Sequence, residues 1–320
     1  MRVVHDLVGY TPGPSGAVVT IGAYDGVHLG HQAVLRLVRE LAGARDREAV
    51  CLTFDRHPAE VVRPETAPKV LTPLDQKLEL LDATSFLDTA CVLAFDKERS
   101  LEPAEDFVRT VLVDGLDARL VVVGADFHFG HRRHGNVRLL EQMGAELGFE
   151  VLGLGLVSVE GDATGMPYSS TRIRELLAAG DVAAAAQMLG RPPRPHEVRG
   201  QVEQGDARGR ELGFPTANVA VPESVCLPAD GIYAGRFVAE DGAERDAAIS
   251  LGRRPTFYVD AKASLLEAFV LDFDGDLYGQ QVKVRFVERI RGEVQFDTVD
   301  ALVAQMTQDV DVARRLLAVR

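Results

Sequence analysis

The run Ala17-Val18-Val19-Thr20-Ile21-Gly22-Ala23-Tyr24-Asp25-Gly26-Val27-His28-Leu29-Gly30-His31-Gln32 decides how the first part of the chain is read. Its opening residues are apolar or β-branched, which predicts a buried strand, and the glycines that follow end it. From His31 to Leu41 the apolar residues Val34, Leu35, Val38 and Leu41 recur at helical spacing. A strand-to-helix turn therefore carries both histidines. A helix N-terminus presents unpaired N–H groups and the positive end of its dipole, a setting that suits a phosphate anion. His28 and His31 can then offer hydrogen bonds or charge to phosphate oxygens as negative charge moves toward a leaving pyrophosphate. On spacing alone, the pair fits equally two histidines satisfied beside an ordinary turn.

Outward from this turn, strands and helices alternate. Residues 49–54 read as a second strand, ending at Asp55-Arg56-His57-Pro58, where proline is expected to disfavour regular structure just beyond. Leu74, Leu78 and Leu81 form a helical stripe after Thr72-Pro73, with threonine as the expected N-cap and proline at the first helical position. A strand at 89–95, a helix at about 103–113, the β-rich run at 120–123, a helix at about 136–147 and a strand at about 150–156 complete the unit. Such alternation predicts a parallel sheet covered on both faces. In these sheets ligands bind beyond the carboxyl ends of the strands, where His28, His57 and Asp126 fall. The segment Gly124 to Asn136 is dense in polar and cationic groups. Tyr168-Ser169-Ser170-Thr171-Arg172-Ile173-Arg174-Glu175 reads as a helix start, which simple capping by Ser169 or Ser170 would explain. Arg172 and Arg174 in its first turn oppose the helix dipole, and a bound polyphosphate would offset that.

An alanine-rich helix at 182–189 precedes Arg191-Pro192-Pro193-Arg194-Pro195, the clearest punctuation in the chain. The domain boundary is placed there, giving 1–190, a proline-rich linker at 191–195, and 196–320. Two domains also suit a chain of 320 residues. Beyond the linker, short β-like runs at 247–251, 265–271 and 282–287 are separated by Gly, Asp and Pro turns, which predicts a small antiparallel barrel. Apolar residues from Leu302 to Leu317 fall near helical spacing, so a C-terminal helix is expected on the barrel.

Composition narrows the function classes. Hydrophobic content of 46% and charged content of 26% are those of a globular protein. A net charge of -13 disfavours a general nucleic-acid binder. The three cysteines are far apart and form no CxxC pair, so neither a disulfide framework nor a cysteine zinc site is indicated, and a cytoplasmic location is expected. No uncharged apolar run reaches membrane-spanning length.

In the second domain, the stretch from Gly205 to Asn218 is rich in glycine and then in small oxygen-bearing side chains, but it lacks the GxxxxGK[ST] pattern. Its backbone N–H groups can approach phosphates, while Thr216 and Asn218 can offer neutral oxygens to Mg²⁺. A glycine-rich hairpin before a strand reads the same residues without function. Glu267 sits in the apolar run Leu265-Leu266-Glu267-Ala268-Phe269-Val270-Leu271, where a carboxylate is costly unless paired or used. It is either a residue on the wet face of an alternating strand or a general base.

His28-Leu29-Gly30-His31 resembles the HxGH signature of the nucleotidyltransferase superfamily. With Gly22 to Gln32, Thr53 to Pro58, Gly124 to Asn136 and Ser169 to Arg174 in order, the first domain is similar to that of the bifunctional riboflavin kinase/FMN adenylyltransferase family. The second domain resembles the kinase of the same family through Gly205 to Asn218, Pro228 to Gly235, Gly252 to Phe257, Leu266 to Phe273, Asp276 to Gly279 and Arg291 to Phe296. The resemblance implies a Rossmann-like doubly wound parallel sheet followed by a six-stranded antiparallel β-barrel with a C-terminal helix. It implies two ATP- and Mg²⁺-dependent steps: riboflavin to FMN in the C-terminal domain, then FMN to FAD with release of pyrophosphate in the N-terminal one.

By the same resemblance His28, His31 and Glu267 would be catalytic, and Thr216 and Asn218 would hold the metal. Gly22, Asp25, Gly30, Asp126, Ser170, Thr171, Arg174, Gly205, Arg210 and Gly213 would bind ATP, and Phe54, His57, Pro58, Phe127 and Arg291 would meet the flavin. The partners expected are riboflavin, FMN and ATP, with no nucleic acid, no membrane and a weak homo-oligomer allowed. Three places depart from the family pattern: the pair Ala23-Tyr24 where Asn-Phe is common, His128 where an arginine is common, and Pro167 where some relatives carry an arginine that contacts the flavin. A riboflavin kinase with a weakened or altered adenylyltransferase domain is therefore the second expectation. A flavin-nucleotide binding regulatory protein is the third.

Overall fold

The apolar runs of the first half become parallel strands, the central ones buried on both faces. These are β1 (Arg2–His5), β2 (Ala17–Ile21), β3 (Glu48–Phe54), β4 (Thr89–Leu93), β5 (Ala118–Gly124) and, after a hairpin of β6 (His128–Phe129) and β7 (Gly135–Asn136), β8 (Glu150–Leu154). The structure, a computed structural model, describes residues 1–155, 167–190, 195–205, 209, 212–252 and 265–318. It divides into two units, Met1–Ser170 and Thr171–Arg320.

In the first unit the strand order is β1-β4-β3-β2-β5-β8, every neighbouring pair parallel. Successive side chains of β2 supply opposite faces: Val19 and Ile21 join Leu52, Leu112 and Leu140 in one core, while Val18 packs with Val38 and Leu120 in another. Helices α1 (Leu29–Ala44), α2 (Pro58–Val62), α3 (Leu74–Ala83), α4 (Lys97–Ser100), α5 (Ala104–Phe107), which runs on into π-helical turns at Val108–Gly115, and α6 (Val137–Leu147) connect the strands. Chain order reverses at β2, which lies between β3 and β5. The carboxyl ends of β2 and β5 flank the switch point where such sheets take their ligands.

Two local expectations are corrected. Pro58 does not end regular structure: it takes the first position of α2, where its missing N–H has no intrahelical partner to lose. His57 caps that helix reciprocally, its Nδ1 accepting from Ala59 N at 3.1 Å while its own N–H donates to Glu60 Oε1 at 3.0 Å. Thr72 does not cap α3, whose cap residue is Pro73 without a side-chain bond. Its hydroxyl is drawn instead to Asp25 and Gly26. Strand β1, at the sheet edge beside β4, has no counterpart in the sequence reading, because four residues with one buried side chain show no usable period.

In the second unit, α7 (Ser170–Ala179), which begins at the division, and α8 (Val182–Leu189) precede the barrel. The barrel strands are β9 (Glu197–Glu203), β10 (Ala217–Ala220), β11 (Gly231–Val238), β12 (Glu244–Gly252), β13 (Leu265–Val270) and β14 (Gln281–Arg291). They close antiparallel in the order β10-β13-β12-β11-β14-β9. Tyr233, Phe237 and Phe286 are fully enclosed within it, with Ile249, Leu251 and Leu266. The C-terminal helix α9 (Val299–Ala318) lies against β11, β12 and β14. Helix α8 packs on β14, and Leu177 of α7 accepts from Ala229 N at 2.8 Å, so both helices group with the barrel rather than with the sheet. Of the expected linker, 191–194 lie outside the described residues.

Candidate functional site

In the first unit the loop from β2 to α1 is held in a conformation that its residues do not choose for themselves. Tyr24 and Val27 have φ of 51° and 42°, a left-handed region that side chains, and above all β-branched ones, avoid. Both are buried and packed against Leu35, Cys51 and Leu81, which offsets the strain. Asp25 supplies the second restraint. Its Oδ1 accepts from Thr72 N at 2.9 Å and Leu71 N at 2.9 Å, and its Oδ2 lies 3.0 Å from Leu71 N. Thr72 Oγ1 accepts from Gly26 N at 3.0 Å. The Asp25 carboxylate thus faces the backbone of 71–72, while its carbonyl accepts from Ser170 Oγ at 2.8 Å.

The loop delivers His28 to the N-cap of α1, with backbone φ -68° and ψ 170°. Its Nδ1 accepts from His31 N at 3.3 Å, so in the neutral ring the proton sits on Nε2. The His28 and His31 rings stack at 3.6 Å, and the Tyr24 ring lies 4.9 Å from His31. The approach is tight at Gly30, where a Cβ would come within 3.1 Å of the His28 ring and of Tyr168. His31 Nδ1 is buried with no hydrogen-bond partner among the described residues. Burial first, then the neighbouring His28 and Lys77, hold the His31 imidazolium well below its usual range. His31 is therefore a neutral donor at neutral pH.

Next to this loop lies a cavity of about 770 Å³ whose lining includes Gly22, Phe54, His57, Pro58 and Phe127. The structure brings together four of the five residues expected at the flavin, and the cavity size is that of a small-molecule site. Sequence reading missed the rest of its aromatic wall. Phe95 stands edge-on to Phe54 at 5.2 Å, and Phe129 stacks on Phe127 at 5.5 Å. Both lie at or just beyond strand ends, the one signal that could have marked them. Arg132 and Arg133 line the same cavity. His128 Nδ1 lies 2.7 Å from the Asp126 carbonyl and 3.2 Å from Arg133 Nη2. Asp126 itself is exposed just beyond β5.

In the second unit the site is set by strand register. Asn218 of β10 pairs with Glu267 of β13, and Glu267 with Ser250 of β12. Directly opposed residues of antiparallel strands share a face. Amide, carboxylate and hydroxyl therefore form a row across three strands, on the face opposite Leu251 and Leu266. Thr216, just before β10, lines a pocket of about 60 Å³ with Glu267, Ser250 and Phe269. Gly205 lies so near Asn218 that a Cβ would meet its Nδ2 at 2.2 Å, and Gly213 has φ 85°, which calls for glycine. Arg210 lies outside the described residues. Arg291, expected at the flavin, grips buried Asp309 through Nε at 3.0 Å and Nη2 at 2.6 Å. Asp309 itself lines the pocket, so Arg291 reaches it through α9. Thr171 and Arg174 lie in the first turns of α7, in the second unit. Among the described residues no group of three or more His, Cys, Asp or Glu could hold a metal ion.

The FAD synthetase family matches residues 11–171 and the riboflavin kinase family residues 192–317. A Pseudomonas fluorescens protein named bifunctional riboflavin kinase/FMN adenylyltransferase is 39% identical over 99% of this chain and 98% of its own. The chain belongs to that family. Proteins of the same name from Haemophilus influenzae and Escherichia coli are 35% and 34% identical, each over 98% of this chain and over 98% and 97% of their own. A solved Streptococcus pneumoniae chain named a macrolide-efflux protein superposes with a TM-score of 0.84 at 29% identity, covering 98% of this chain and 99% of its own. Among the described residues no helix is long and apolar enough to cross a membrane. The first family match ends one residue beyond the division between the two units.

Proposed function

We infer that the chain makes FAD in two ATP-dependent steps, as an enzyme with riboflavin kinase and FMN adenylyltransferase activities, and we propose which residues carry each. In the second unit, the ribityl 5′-hydroxyl of riboflavin attacks the γ-phosphorus of ATP, its proton passing to Glu267 as ADP leaves. The observation that supports this is the row of Asn218, Glu267 and Ser250 beside Thr216. Most of the acceleration is positioning and charge stabilisation. Thr216 and Asn218 are hard, neutral oxygen donors next to a carboxylate, a set that fits Mg²⁺ carried in with nucleotide phosphates. Such an ion supplies charge neutralisation of those phosphates when bound. Gly205, Arg210 and Gly213 would let the backbone and one guanidinium approach them, and Arg291 would shape the flavin side through Asp309.

In the first unit, a phosphate oxygen of FMN bonds to the α-phosphorus of ATP while the bond to the pyrophosphate leaving group breaks. His28 and His31 donate to the oxygens on which charge grows. Phe54, His57, Pro58 and Phe127 receive the isoalloxazine in the aromatic cavity. Gly22, Gly30, Asp126 and Ser170 would line the nucleotide, with Asp25 shaping the loop. The roles of Thr171 and Arg174 on ATP phosphates rest on the family resemblance. We keep 1–190 and 196–320 as the two catalytic regions, joined by 191–195. The wide spacing of the three cysteines, with no CxxC pair, supports a reducing, cytoplasmic setting, and the acidic balance supports small-molecule partners without nucleic acid; a weak homo-oligomer is kept as an expectation.

Incubation with riboflavin, ATP and Mg²⁺ tests the whole reading: FMN and then FAD accumulate. FMN alone would point to an altered first unit, where His128 and Pro167 depart from the family pattern. Neither product would leave a binding protein.

A further inference from the structure

Lys77 lies in α3, outside every segment that carries the family resemblance, and is only 6% exposed. Its Nζ donates to the carbonyls of Phe54 at 2.7 Å and Ala23 at 3.2 Å, and to Thr53 Oγ1 at 3.1 Å. An ammonium has three N–H bonds, and all three are engaged. Among the described residues, no carboxylate forms an ion pair with it. A buried cation with no ion-pair partner is expensive, although Asp25, Asp55 and Glu60 attract it from farther off. Burial accordingly makes this amine easier to deprotonate than an ordinary lysine.

What Lys77 joins gives the cost a purpose. Ala23 opens the loop that carries His28, and Phe54 ends β3; both line the aromatic cavity. The same segment holds that loop again through Leu71 and Thr72 on Asp25 and Gly26. We propose that Lys77 is a positioning residue for adenylyl transfer: it ties the carboxyl ends of β2 and β3 together and places a fixed positive charge beneath the histidine loop. This rests on the assignment of His28 and His31 to that step. Groups facing His31 are His28, stacked at 3.6 Å, Tyr24 at 4.9 Å, and the Lys77 ammonium, whose charge opposes protonation of the ring.

The test uses the full chain carrying Lys77→Met, which keeps the length and removes the charge and all three donors. FAD formation from supplied FMN and ATP is expected to lose about tenfold or more in kcat, with KM little changed. The riboflavin kinase rate of the same sample should stay at the unmutated value. The His31 titration midpoint, followed by NMR of labelled histidine, should move up once the cation is gone. An unchanged kcat overturns the proposal, and so does a lowered kcat with an unmoved His31 midpoint, which would make Lys77 a structural strut alone. Should Lys77→Met fail to fold, Lys77→Gln, which retains two N–H donors without charge, is put to the same two measurements. His28→Ala serves as the reference: normal FAD formation in that variant would overturn the histidine assignment itself, whatever Lys77 does.

Discussion

The two candidate sites are built on opposite principles. In the barrel, Asn218, Glu267 and Ser250 become neighbours because three antiparallel strands pair in one register. In the parallel-sheet unit, His28 sits on a loop with two left-handed non-glycine residues, and a distant segment, residues 71–77, holds that loop in place. A site made by register is as stable as its sheet. A site made by a clamped loop can be loosened without unfolding anything else.

The sharpest way to break the comparison is at Glu267. Glu267→Gln keeps shape and register, so FMN formation should fall by about 10²–10⁴-fold if the carboxylate is the general base, while FAD formation from supplied FMN stays intact. A kinase rate within a few-fold of the original would return Glu267 to a residue on the wet face of β13. At the other site, His28→Ala should lower FAD formation by roughly 10²-fold and leave FMN formation nearly untouched. Equal loss of both activities would mean that the two sites do not work independently. A third variant probes the clamp. Thr72→Val removes a donor to Asp25 and an acceptor for Gly26 N in a buried setting, which should cost about 1–3 kcal/mol in urea denaturation of the first unit. Thr72→Ser should recover most of that loss.

The smallest effect is a pH dependence. His31 is held neutral in the folded chain, its imidazolium disfavoured first by burial and then by His28 and Lys77. Between its depressed folded pKa and the ordinary histidine value of about 6.5, the unfolded chain binds more protons, so stability rises with pH in that window. The contribution is complete above the ordinary value and is lost as pH falls toward the folded one. Denaturation midpoints at pH 7.5 and pH 5.5, compared with those of His31→Gln, check this: the variant should show the weaker dependence. Equal slopes would show that other groups set the acid sensitivity.

Much of this was legible along the chain, for identifiable reasons. Strand β2 and helix α8 appear at the expected residues, because an unbroken apolar run and an alanine-rich segment ending in Gly190 leave little choice. The parallel sheet and the barrel followed from the change of rhythm near the prolines. The motif around His28 was visible as glycines and histidines at a strand end. Helix α2 was not, because a proline that opens a helix looks the same in sequence as one that prevents it.

By itself the sequence determined the family and the two architectures and supplied the candidate reacting groups, since these depend on local periodicity and on short motifs. Only tertiary structure decided what those groups touch. Asp25 stands inside the signature loop, yet its carboxylate faces the backbone of 71–72. Lys77 and Thr72 stand outside every motif, yet they hold the loop that delivers His28. Glu267 stands in an apolar run, and only the pairing of β10 and β12 with β13 set Asn218 and Ser250 on either side of it. The physical reason is the same in each case. Periodicity reports which face a residue occupies, whereas hydrogen bonds between segments some fifty residues apart are settled only when the chain folds.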